Sequence, residues 1–159
     1  MNFTISRSEN QSILMYFLQT LIISLIPTSI LALGAAYFID NSPSPYIEGI
    51  SSSNFGLQWL FTGLLIPALE SMFLIYPTSV AYDATKSQVR GAIIGAAPVV
   101  FLHIFVSWQK IFVIGWFFYV QAFSFIELKK QNINFKTRII FVISLHAAHN
   151  SIPLLILYL

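Results

Sequence analysis

The sequence predicts an all-α polytopic membrane protein, a single bundle of about five transmembrane helices. Three observations predict it. The chain of 159 residues is 57% hydrophobic and 9% charged, whereas about a quarter of the residues of an ordinary soluble domain are charged. Its mean hydropathy is +0.77. Apolar runs recur between short polar segments, each near the roughly 20 residues that cross a bilayer. Charge stays in those segments: all eight Lys and Arg and five of the six acids fall in loops, tails or span ends. The exception is Glu70. The chain has no cysteine, which excludes disulfides, thiolate metal sites and a cysteine nucleophile. A basic patch for nucleic acid is also absent.

Residues 1–11 are polar and read as a short tail, and 12–39 as the first span. Small residues from Gly34 to Ala36 also suit the end of a signal peptide. The apolar core is too long for that, and only Arg7 precedes it. A loop over 40–55 follows, marked by Pro43, Pro45, Gly49 and the run Ser51-Ser52-Ser53. The second span is 56–82, and Asp83 to Arg90 form a polar connection. The third span is 91–108, and Gln109 and Lys110 make a tight turn before the fourth, 111–126. A basic loop from Glu127 to Arg138 leads into the fifth, 139–159. No internal repeat is visible, and the whole chain reads as one domain.

Loop charges set orientation. With the N-terminus inside, the inner segments hold Arg7, Lys86, Arg90, Lys129, Lys130, Lys136 and Arg138, and the outer ones only Lys110. The bias predicts an N-in, C-out protein of the cell membrane. Trp59 and Trp108 read as interfacial anchors near the outer boundary. The aromatics Trp116, Phe117, Phe118 and Tyr119 read as lipid-facing or packing residues.

The candidate functional residues are the ionisable groups inside spans, where they are costly and normally face a shared polar interior. They are Glu70, His103, His146 and His149. His146 and Asn150 are four apart and share a helix face; His149 lies at its edge and reads as a supporting or packing residue. With a rise of about 1.5 Å per residue, Glu70, His103 and the His146–Asn150 turn fall at similar depth on three helices. Pro67, Pro98 and Pro153 each lie near one of these groups and can kink their helices to widen a pocket, although proline is common in membrane helices.

These residues resemble the motifs of the CAAX protease and bacteriocin-processing family of intramembrane endopeptidases, which includes the Ras-converting CAAX endopeptidases. The family pattern is EExxxR, then FxxxH, then HxxxN on successive helices. Here the segments are Glu70-Ser71-Met72-Phe73-Leu74-Ile75, Val99-Val100-Phe101-Leu102-His103 and His146-Ala147-Ala148-His149-Asn150. The resemblance covers roughly residues 60–155. It implies that Glu70 is the general base, that His103 assists it, and that His146 and Asn150 stabilise the oxyanion. It also implies a membrane-associated peptide or protein as substrate, such as a lipidated C-terminus or a leader. The chain departs from the pattern at Ser71, Ile75 and Val99, where the family has Glu, Arg and Phe. Those losses fit either an ion pair exchanged for apolar packing or a non-catalytic member acting as a bacteriocin-immunity or scaffold protein. A glutamate with two or three histidines also suits zinc, but the glutamate–histidine water mechanism needs no cofactor and none is assigned. Proton or metal transport is the weaker alternative, because transporters of that kind usually carry repeats.

Overall fold

The computed structural model describes residues 6–8, 10–38, 55–105 and 111–158. The expected loop over 40–54, Trp108 and the Gln109–Lys110 turn lie outside them. Among the described residues the chain is all-helical. Helix α1 is Ile13–Phe38. A helical run then passes through one α-turn, Phe55–Gln58, a π-helix, Trp59–Leu65, and helix α2, Ile66–Thr85. Helix α3 is Gln88–Ile104, α4 is Ile111–Lys130 and α5 is Phe135–Tyr158. Helix α1, the run from the π-helix through α2, and α4 are long and apolar enough to cross a membrane; α3 is apolar but shorter. These helices mark the chain as a membrane protein.

Local chemistry explains the boundaries. At the end of α2, Lys86 takes a left-handed conformation (φ 51°) and its N–H closes the helix on Tyr82 O. Ser87 then caps α3 by accepting from Arg90 N. Asn132 (φ 56°) turns the chain between α4 and α5, and Asn134 Oδ1 caps α5 by accepting from Thr137 N at 2.9 Å.

Sequence boundaries are corrected at two connections, the first of which shrinks from Asp83–Arg90 to Lys86 and Ser87 because α2 runs to Thr85 and α3 begins at Gln88. Helix α4 continues past Ile126 to Lys130, and α5 begins at Phe135. The basic loop therefore shrinks to Gln131–Asn134, and Glu127 becomes a buried helical carboxylate, 4% exposed. Its partners come from three places. Oε2 accepts from Gln88 Nε2 at 2.9 Å and from Lys130 Nζ at 3.4 Å, and Oε1 accepts from Gln131 Nε2 at 3.1 Å. Gln131 also binds the tail: Arg7 Nη1 donates to its Oε1 at 2.6 Å, and its Nε2 donates to Arg7 O. Carboxylates can lie inside protein when every acceptor is met, so Glu70 is not the one acid within a helix.

Helix α4 is central and touches α1, α2, α3 and α5. Its residues from Val120 to Leu128 are all buried. Helices α2 and α3 approach through small residues. A Cβ on Gly95 would collide with the backbone and hydroxyl of Thr78, and one on Gly91 would lie 2.9 Å from Tyr82 Cα. Close backbone approach through glycine is a common way to pack helices in lipid.

Helix α1 joins through a proline. Pro27 has no N–H to give to the carbonyl four residues back, that of Ile23. Trp116 Nε1 donates to Ile23 O at 3.1 Å, so the indole replaces the missing donor and ties α1 to α4.

Candidate functional site

Helices α2, α3 and α5 bring Glu70, His103 and His146 together. Glu70 Oε1 lies 3.3 Å from His103 Nε2, and Oε2 lies 3.4 Å from His146 Nε2. One carboxylate thus stands between two imidazole nitrogens from different helices. The site is half-open: the side chains of Glu70 and His103 keep 25% and 22% of their exposure, whereas His146 keeps 3%.

The far nitrogen of each ring is also engaged. His103 Nδ1 lies 2.9 Å from Val99 O. A carbonyl can only accept, so Nδ1 carries a proton. The Nε2–Oε1 contact then needs one more proton, on either the imidazole or the carboxyl group. His146 Nδ1 lies 3.2 Å from Ser71 Oγ, and a hydroxyl serves either tautomer because it can donate or accept. Proton sharing between Glu70 and His103 is therefore built into the geometry.

Asn150 is engaged elsewhere. Its Nδ2 donates to Thr62 O at 3.2 Å, which leaves the amide a second N–H. Thr62 belongs to the π-helix, and that segment ends just before Pro67 in the first turn of α2. Of the three prolines near polar groups, Pro67 alone coincides with a change of helix type; Pro98 and Pro153 lie within uninterrupted helices. π-Helical turns occur often at functional sites. Beside it, Trp59 Nε1 donates to Ser151 Oγ at 3.1 Å, and Gly63 leaves room for Ser151.

The aromatics of α4 form a wall behind the histidines. Phe117 and Phe118 are 4% and 1% exposed, so neither faces lipid. The Phe117 ring lies 4.7 Å from His146 and 4.0 Å from His149. Phe118 lies 5.4 Å from His146 and 5.5 Å from His103. Two adjacent rings contact all three imidazoles.

The departures from the family pattern have definite places. Ser71, fully buried, is the partner of His146, and Ile75 is part of the apolar core. Sequence reasoning took Ser71 only as a missing glutamate. It also missed Thr62, a backbone acceptor with no side-chain signal, and Ser24 of α1, whose Oγ lies 3.2 Å from His149 Nδ1. Among the described residues, no three His, Cys, Asp or Glu side chains are grouped to hold a metal ion; both imidazoles turn Nε2 onto the carboxylate itself.

Compared with protein-family models, curated proteins and solved structures, the chain matches none.

Proposed function

We propose that this chain is a multi-pass intramembrane endopeptidase of the glutamate type, akin to the CAAX protease and bacteriocin-processing family. It hydrolyses a peptide bond in a membrane-associated substrate. The observation that carries this reading is the Glu70 carboxylate between His103 Nε2 and His146 Nε2, at 3.3 and 3.4 Å.

The chemistry follows from the side chains. Glu70 takes a proton from water as the water oxygen bonds to the scissile carbonyl carbon. The proton already held in the pair rests on His103 Nε2 meanwhile, with Nδ1–H held by Val99 O, so the carboxylate is free to accept. The carbonyl oxygen becomes an oxyanion, met by the Nε2–H of His146, released from Oε2 once Glu70 is protonated, and by the second N–H of Asn150. Glu70 then returns the proton to the leaving amine as the C–N bond breaks. The excess of basic residues on the segments that hold Arg7, Lys86, Arg90, Lys129, Lys130, Lys136 and Arg138 supports an N-in, C-out orientation in the cell membrane.

The test compares peptide termini in cells making the wild type or Glu70→Gln at equal membrane levels. New termini confined to the wild type support the peptidase, and their sequences identify the substrate class. Identical termini sink it. That result favours a non-catalytic immunity or scaffold role, the reading motivated by Ser71 and Ile75 at motif positions.

A further inference from the structure

Helix α1 lies outside the resemblance, yet it reaches the polar centre through one residue. Ser24 Oγ donates to Leu21 O at 2.9 Å and lies 3.2 Å from His149 Nδ1. A hydroxyl has one proton. The Leu21 carbonyl can only accept, so with the serine's proton on it the serine accepts from His149. His149 then carries its proton on Nδ1, which leaves Nε2 without one in the neutral ring. Both side chains are buried.

The held ring has a second contact. His149 stacks on Phe117 with an interplanar angle of 28° at 4.0 Å. The same Phe117 ring meets His146 edge-on at 4.7 Å. His146 in turn faces Glu70. A continuous set of contacts therefore runs from Ser24 through His149 and Phe117 to the imidazole beside the carboxylate.

We propose that His149 is a positioning residue of this site, fixed as the Nδ1–H tautomer by Ser24 and acting through Phe117 on the seating of His146. The proposal rests on the peptidase reading above and adds α1 to its machinery. Imidazole tautomers are set by the partner of the other nitrogen, and the neutral hydroxyl of Ser24 sets this one. Misplacing a reacting group by about 1 Å can cost a hundredfold in rate, so a loosened Phe117 wall is read in kcat rather than in KM.

The test has a direct arm and a kinetic arm. In the detergent-solubilised full chain labelled with 15N-histidine, nitrogen shifts should show His149 as the Nδ1–H tautomer, and Ser24→Ala should release it to a mixture. An Nε2–H tautomer in the wild type, or no change in Ser24→Ala, overturns the proposal. In the kinetic arm, Ser24→Ala and His149→Phe should each lower kcat about tenfold, as expected of one lost orienting hydrogen bond, with KM unchanged. The double variant should be no worse than either single one. Additive losses, or losses confined to KM, overturn it. The two readings separate cleanly. Cleavage by Glu70→Gln defeats the peptidase itself, whereas an inactive Glu70→Gln beside a fully active Ser24→Ala defeats the positioning role alone.

Discussion

Ser71 is a direct partner of His146: its Oγ lies 3.2 Å from Nδ1, while Nε2 of the same ring faces Glu70. A position where the motif it resembles has a second acid is here a neutral hydroxyl beside an imidazole. Ser71→Ala should leave the bundle folded and lower cleavage about tenfold, the scale of one orienting hydrogen bond. Unchanged kcat in purified Ser71→Ala would show that Glu70 and the packing on Phe117 and Phe118 hold His146 without it.

His103 should matter more than Ser71, because it shares a proton with the carboxylate. His103→Gln keeps a polar group of similar reach but cannot hold the proton that Nε2 shares with Glu70. Its loss of cleavage should be about a hundredfold or more, the range of general acid–base assistance. Single-turnover rates with enzyme in excess over substrate would measure this. Wild-type turnover would remove His103 from the mechanism.

Gly95 should tolerate no side chain. A Cβ there collides with Thr78, and backbone cannot rotate away as a flexible side chain would. Gly95→Ala should cost about 1–3 kcal/mol, the usual penalty of overpacking. Thermal unfolding in detergent should show a lower midpoint. A midpoint equal to that of the wild type would mean that α2 and α3 can separate freely.

Pro27 and Trp116 give a reciprocal test. Trp116→Phe removes the donor to Ile23 O and should destabilise by about 1 kcal/mol or somewhat more. In a Pro27→Ala background the helix regains its own N–H for that carbonyl, so the same change should cost less. Equal costs in both backgrounds would show that the indole contributes only packing.

Much of this arrangement is legible in the sequence. Apolar length located the helices, and the rarity of ionisable groups inside them selected Glu70, His103 and His146. What escaped has one physical cause in common. Ser24, Ser71 and Thr62 act through short side chains or a carbonyl, and such groups carry no hydropathy signal. In the sequence Glu127 looks like a loop residue because it opens a charged run. The partners that allow its burial, Gln88 and Gln131, lie on other segments and cannot be paired from spacing alone. The π-helix before Pro67 was likewise hidden, since a proline marks where a helix is disturbed without saying how. Phe117 and Phe118 had the right composition for packing, but the surfaces they pack against were not visible.

The central place of α4 bears on how the molecule is made. Ribosomal synthesis delivers α1 to α4 before α5, so for a time the aromatic wall of Phe117 and Phe118 stands without His146 and His149. Glu70 can meet His103 at that stage, but Asn150 and the second imidazole are still to come. The polar centre is therefore completed by the helix that emerges after the other four. A nascent chain cannot hold the complete centre early, so the carboxylate gains its second imidazole only when the bundle closes.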